Sequence, residues 1–203
     1  MYQLLETIKI KAGQIYNIDL HNERLNKSRL ELFGSTARLD LNDYIFAPKT
    51  DDKLYKCRVI YAEKIDNVEY QHYEKRNISG FILAESPNIN YEYKLQNRLI
   101  FSQLKKEYNC PEDFEIIIIK NELITDTSFT NIVFYDGKKW ITPKKPLLNG
   151  VKRQSLLRGN IICEKNIFAD DIFSGKYSRF RLINSLLNFD ESNEYQTNTI
   201  IKQ

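Results

Sequence analysis

Cysteine and histidine are scarce in these 203 residues: three cysteines, Cys57, Cys110 and Cys163, and two histidines, His21 and His72. The cysteines lie far apart, without the spacing of a metal site, so no zinc or other metal centre is expected. Three unpaired thiols suit a reducing cytoplasm. Long apolar runs are missing as well. None approaches the length that crosses a bilayer, and no basic-then-apolar leader follows Met1, so a membrane partner is not expected. Nor does charge of one sign dominate. Thirty basic residues are mixed with 27 acidic ones for a net charge of +3, with no long basic block, which argues against a nucleic-acid partner. No internal repeat and no low-complexity tail interrupts the chain.

What is present is the composition of a globular protein, 42% hydrophobic and 28% charged, with length enough for one large domain or two small ones. The pattern along the chain predicts α+β structure. Residues 2–10, YQLLETIKI, alternate as a strand does, and KAGQ follows as its turn. LHNERLNKSRLELFG reads as a helix stopped by Gly34. LYKCRVIYAEKI and NISGFILAES read as strands, and ESPNINYEY as a polar linker. These features divide the chain into a small domain over 1–86, a linker over 87–93 and a larger domain over 94–203. A helix is expected from about Leu95 to Tyr108. FEIIIIK has the continuous apolar character of a strand buried on both faces. TNIVFYDG and KWITP predict a hairpin turning at Asp136-Gly137, and VKRQSLLRGNII a helix starting directly after Gly150.

Four positions invite chemistry, each with a plainer role beside it. Lys94 lies between aromatic residues in NYEYKLQNRL. Partial desolvation there would favour a neutral, nucleophilic amine able to form a Schiff base, although a lysine snorkelling past Tyr91 and Tyr93 explains the same residues. The turn LLNGVKRQS opens a helix whose first N–H groups suit a phosphate; a simple loop-to-helix start would look the same. Arg24 in HNERL could grip a phosphate with two hydrogen bonds or lie on a solvated helix face. Asp126 could pair with a buried cationic nitrogen or close a turn. Together they offer an amine for an aldehyde, an arginine and a helix start for a phosphate, and a carboxylate for a protonated ring nitrogen. Those are the handles of pyridoxal 5'-phosphate.

The order and wording of these segments resemble the class IV aminotransferase family, pyridoxal-phosphate enzymes of fold type IV that include branched-chain and D-amino acid aminotransferases and aminodeoxychorismate lyases. LLETIKIKAGQIYNIDLHNERLNKSR is similar to the family's strand, turn and H-x-x-R-L-x-x-S helix. YEYKLQNRL resembles its lysine segment, ITDTSFTNIVFYDGKKWITP its acidic block, and PLLNGVKRQSLL its phosphate turn. The resemblance implies a two-domain fold like that of D-amino acid aminotransferase, with a truncated N-terminal domain because the chain starts almost at the family's F-E-T strand. It implies that Lys94 carries the cofactor and moves protons, and that Arg24 and the N–H groups of Val151 and Lys152 hold the phosphate. Asp126 would pair with the ring nitrogen and Leu148 would pack on the ring. Thr127, Ser128 and Asn131 would line the phosphate side and brace the acidic loop. Asp126 stands where the family usually has glutamate, and Lys152 where a hydroxyl residue is common.

For function, the resemblance implies a small-molecule amino substrate and a cytoplasmic homodimer, in keeping with an aromatic content of 12% that includes 13 tyrosines. The favoured activity is 4-amino-4-deoxychorismate lyase, a step of folate biosynthesis that releases pyruvate and forms 4-aminobenzoate. An aminotransferase of branched-chain or D-amino acids is the alternative, and a non-catalytic cofactor-binding protein the third. Arg58 in KCRVIY is a candidate for a substrate carboxylate, with a surface arginine on an edge strand as its plainer role.

Overall fold

The structure, a computed structural model, describes residues 2–47 and 52–202. The chain forms two compact units, Met1–Lys75 with Tyr93–Asn97 and Ser185–Leu187, and Arg76–Glu92 with Arg98–Asn184 and Asn188–Gln203.

The first unit is built on a four-stranded antiparallel sheet in the order β2-β1-β3-β4, from β1 (Leu4–Lys11), β2 (Gln14–Ile15), β3 (Leu54–Tyr61) and β4 (Ile65–His72). Ala12 and Gly13 both take positive φ between β1 and β2, as a two-residue hairpin turn requires. Helix α1 (Ile18–Phe33) ends at Gly34, whose φ of 68° lets its N–H reach the Leu30 carbonyl while Ser35 N–H reaches that of Arg29. One face of the sheet carries Leu4, Ile8, Ile10, Cys57, Val59 and Tyr61, which pack with Leu25 of α1 into one core.

The second unit adds β5 (Gly80–Glu85), α2 (Leu99–Glu107), β6 (Phe114–Lys120), β7 (Leu123–Thr127), β8 (Asn131–Tyr135), β9 (Trp140–Pro143), α3 (Val151–Arg158), β10 (Ile162–Lys165), β11 (Arg179–Ile183), β12 (Glu194–Gln196) and β13 (Ile200–Lys202). Its nine-stranded mixed sheet runs β10-β9-β8-β7-β6-β5-β13, with β11 joining β8 to β12. The apolar run of β6 lies between β5, parallel to it, and β7, antiparallel, as a strand covered on both faces should. Ile132 and Phe134 point into the large core, while Val133 faces Leu156 of α3.

The mixed α+β class agrees with the sequence; several boundaries differ from it. Strand β5 pairs with β6 and β13, so residues 76–92 belong to the second unit and the first run of the first unit ends at Lys75, not 86. Residues 93–97 belong to the first unit rather than opening the second domain. Leu5 N–H donates to the Lys94 carbonyl and Gln96 N–H to that of Gln3, both at 2.9 Å. Those β-like bonds hold the segment extended, and α2 starts at Leu99 instead of Leu95. The β8–β9 hairpin has a four-residue loop, because its strands pair only from Tyr135 and Trp140 outward. Asp136 closes that loop by accepting from the N–H groups of Lys138 and Lys139 at 3.1 and 2.9 Å. Among the described residues, no helix is long and apolar enough to cross a membrane.

Candidate active site

In the first unit the chemistry gathers where β1 meets α1. Glu6 is the one acid on the strand face that also carries Leu4, Ile8 and Ile10, and it is fully buried. A buried carboxylate needs hydrogen-bonded, charged partners, and α1 supplies two from successive turns. Arg24 grips it with both ends of its fork, Nε to Oε1 at 2.8 Å and a terminal nitrogen to Oε2 at 2.5 Å. His21 Nδ1 lies 2.6 Å from Oε2. Burial pushes Glu6 upward, but the Arg24 charge and the hydrogen bonds from His21 and Arg24 outweigh it and hold the carboxyl at about 2. Burial lowers His21, against the pull of Glu6, and the charges of Arg24 and Lys94 lower it further. The imidazole is therefore neutral and donates from Nδ1, which leaves its buried Nε2 with no hydrogen-bond partner. Lys94 is half-buried, its backbone fixed by the bond from Leu5.

In the second unit Asp126 and Asn131 stand directly opposite each other across β7 and β8. The intervening turn explains part of the polar run in TDTSFTN. Thr127 Oγ1 accepts from Thr130 N–H at 3.0 Å and meets Thr130 Oγ1 at 2.8 Å, while Arg98 donates to the Ser128 carbonyl at 2.5 Å. Asn131 bridges two segments, donating to Asp126 Oδ1 at 2.7 Å and to the Leu148 carbonyl at 2.8 Å. Leu148 N–H returns a bond to Asp126 Oδ2 at 2.9 Å. The loop before α3 is thus tied to the acidic strand pair. Gly150 is required there for space: a Cβ would lie 2.0 Å from Asn131 Oδ1. Helix α3 starts at the next residue, so its first-turn N–H groups, which the helix itself cannot satisfy, begin at Val151 and the half-buried Lys152. Burial raises Asp126 to about 6, more than the bonds from Leu148 and Asn131 and the charge of Arg153 lower it.

Of the residues singled out in the sequence, the second unit brings together Asp126, Asn131, Leu148 and Val151, with Thr127 and Ser128 on the adjoining turn. The first unit joins Arg24 to Glu6. Arg58 lies on the other face of that sheet, paired with Glu69 at 2.8 Å. Glu6, His21, Arg98 and Arg153 were missed. The signal for Glu6 was available: a lone acid in phase with apolar residues on a core strand, with His21 and Arg24 one helical turn apart. Arg153 is buried and bonded to Asn149, the Pro143 carbonyl and Glu164, with its Nε unpartnered. Nothing local in the sequence sets it apart from Lys152.

A family model for amino-transferase class IV matches residues 3–189. The chain belongs to the class IV aminotransferase family. A relative from Haemophilus influenzae, itself an uncharacterized protein, is 34% identical over 189 residues, which cover 92% of this chain and 98% of that one. A crystal structure from Haemophilus somnus, of a candidate 4-amino-4-deoxychorismate lyase, is 31% identical with a TM-score of 0.81, covering 92% and 97% of the two chains. A hypothetical aminotransferase from Mycobacterium tuberculosis in its PLP-bound form shares the fold, with a TM-score of 0.75 at 13% identity over 98% of this chain and 81% of that one.

Class IV aminotransferases depend on pyridoxal phosphate, and the residues present here fit that group. Asp126 is a buried carboxylate whose protein partners are mostly neutral donors, suited to a cationic ring nitrogen. Taken unit by unit, Arg24 could meet a phosphate and Lys94 offers an amine in the first, and the first-turn N–H groups of α3 could meet a phosphate in the second.

Proposed function

We propose that this class IV chain is a pyridoxal-phosphate enzyme that converts 4-amino-4-deoxychorismate to pyruvate and 4-aminobenzoate. The observation that carries the cofactor assignment is the buried Asp126, raised to about 6 and bonded by Asn131 and the Leu148 N–H. The lyase assignment is supported by the Haemophilus somnus relative, which the chain matches over 97% of its length.

Lys94 is the covalent attachment point in this proposal. Asp126 would hold a proton on the ring nitrogen, and Asn131 and Leu148 keep the carboxylate aimed. The N–H groups of Val151 and Lys152 would hold the phosphate from the second unit, and Arg24, whose guanidinium is oriented by Glu6, is the candidate cation of the first. Thr127 and Ser128 brace the turn beside them. When bound, the cofactor supplies an electron sink for the substrate carbon that bears the amine. With the cofactor bound, Lys94 Nζ would take the proton from that carbon and later deliver one to the departing enolpyruvyl carbon. The ether C–O bond breaks, its electrons leave with pyruvate, and the ring becomes aromatic. The active species is a homodimer; light scattering on the holoprotein checks this, and a monomer with full activity overturns it.

The deciding experiment mixes holoprotein with 4-amino-4-deoxychorismate and no amino acceptor. Pyruvate and 4-aminobenzoate should appear in equal amounts, and Lys94→Ala should lose both this release and the visible absorbance of the bound cofactor. Turnover only after 2-oxoglutarate is added would make the protein an aminotransferase. Cofactor absorbance without turnover of any kind would leave a binding protein.

A further inference from the structure

Asn149 and Gly150, in the loop before α3, form the one Asn–Gly pair in the chain. Such a pair can modify itself. The main-chain nitrogen of the following residue attacks the asparagine Cγ, and glycine hinders that attack least because it has no Cβ. Three features of this pair favour the reaction. Asn149 is exposed. Its Oδ1 accepts from a terminal nitrogen of Arg153 at 3.0 Å, and that guanidinium is buried and fixed by the Pro143 carbonyl and Glu164. A cation on Oδ1 draws electrons from Cγ and stabilises the charge that the oxygen gains as the new bond forms. Lastly, among the described residues neither the Gly150 N–H nor the Asn149 amide nitrogen has an acceptor, so no hydrogen bond within the protein holds the attacking atom or the leaving one.

The chain's one Asp–Gly pair is the contrast. Asp136 accepts from the N–H groups of Lys139 and Lys138, and these bonds hold its carboxyl below the usual range. An ionised carboxylate resists attack and has no ready leaving group, so Asp136–Gly137 should persist.

We propose that Asn149–Gly150 is a self-modification site, at which the protein loses ammonia with age and with it its hold on the cofactor phosphate. Gly150 N bonds to Asn149 Cγ, the Cγ–Nδ2 bond breaks, and the amide nitrogen leaves as ammonia with the proton that Gly150 N gives up. Water then opens the succinimide ring at either carbonyl, giving aspartate or isoaspartate, without oxidant or reductant. Aspartate puts a negative charge beside Gly150, against any anion received by the first N–H groups of α3. Isoaspartate does the same and adds a methylene to the main chain between Leu148 and Gly150. That lengthening meets a fixed frame: Leu148 exchanges bonds with Asp126 and Asn131, and a Cβ at Gly150 would lie 2.0 Å from Asn131 Oδ1. The same crowding requires glycine at 150, so the labile pair is built into the loop. The effect on the cofactor rests on the assignment of its phosphate to α3; the chemistry at Asn149 does not.

The test incubates the full-length holoprotein at mildly alkaline pH, follows it by peptide mapping with mass detection, and titrates samples stripped of cofactor with pyridoxal phosphate. Asn149 should convert ahead of every other asparagine, with isoaspartate the main product, while Asp136 stays unchanged. The converted fraction should bind pyridoxal phosphate about tenfold more weakly. Asn149→Gln, whose longer side chain closes a ring far more slowly, should keep both its mass and its affinity. Asn149 still intact after other asparagines have converted overturns the proposal. So does an Asn149→Gln protein that loses affinity in step with wild type, or converted wild type that binds as tightly as fresh protein. Fresh protein that binds no pyridoxal phosphate would instead remove the cofactor reading, and the mass map alone would then decide the modification.

Discussion

Glu6 in the first unit and Asp126 in the second are both buried carboxylates, and their surroundings move them in opposite directions. Burial raises both. Glu6 overcomes it because Arg24 supplies a full positive charge in a two-point grip and His21 adds a hydrogen bond, so the acid lies at about 2. Asp126 is met by an amide and backbone N–H groups, with the Arg153 charge as a smaller influence, and stays at about 6. Hydrogen bonds from neutral donors aim a carboxylate without fully replacing its hydration; a cation is needed for that. Glu6 is therefore complete within the protein. Asp126 would complement a positive charge brought by a ligand, which is the physical basis for proposing that it pairs with the ring nitrogen.

The largest effect that can break this contrast is expected from Glu6→Gln. It leaves the Arg24 guanidinium without its charged partner, and loss of one member of a buried pair destabilises by about 3–5 kcal/mol. Urea unfolding at pH 7 measures it. Because Glu6 is lowered from 4.5 to about 2, its contribution, on the order of 3 kcal/mol, is fully present above pH 4.5 and is lost as pH falls through 2. Wild type and variant should therefore converge in acid, and a gap independent of pH would show that packing, not charge, holds the trio.

Asp126→Asn should act oppositely on stability and on turnover. Turnover should fall on the order of 10²-fold or more, since an amide cannot keep the ring nitrogen protonated by charge. Without cofactor the same variant should be more stable at pH 8. The folded Asp126 is raised from 3.8 to about 6, so its ionisation opposes folding progressively as pH rises between those values, by up to about 3 kcal/mol. Thermal melts of the cofactor-free proteins should coincide below pH 4 and separate above pH 6. Parallel melts at every pH would mean that Asp126 already has its counter-charge in the protein.

Arg24→Lys is the mildest probe. It keeps a charge beside Glu6 but loses the fork, and cofactor affinity should drop about tenfold, or roughly 1.4 kcal/mol. Titration of cofactor-free protein with pyridoxal phosphate decides it; unchanged affinity would confine Arg24 to orienting Glu6.

The elements most legible in the sequence were those whose own residues determine them. Gly34 marks the end of α1 because only a left-handed residue closes that cap, and Gly150 marks the start of α3, where Asn131 leaves no room for a Cβ. Strand β4, IDNVEYQH, was not read because it is an edge strand with a polar outer face, and its partner β3 supplies the order. The helix is expected from Leu95 rather than Leu99 because the bonds from Leu5 and to Gln3 that keep this segment extended come from residues about 90 positions earlier. The site shows the same limit. Asp126 and Asn131 could be picked out in one short stretch, whereas Glu6 stayed unnoticed until α1 was folded over it.

Strand β5 has β6 on one side and β13 on the other, so its second neighbour lies beyond residue 199. The four strands of the first sheet are all complete by residue 72. On the ribosome, at about 5–20 residues per second, the interval between making β5 and making β13 is on the order of ten seconds. Throughout it Phe81, Ile82 and Leu83 present an unpaired apolar edge to every other strand in reach, including the same strand on a neighbouring nascent copy. The yield of this protein in a cell should therefore depend on translation speed and on chaperones that cover β5, as well as on the stability of the finished fold.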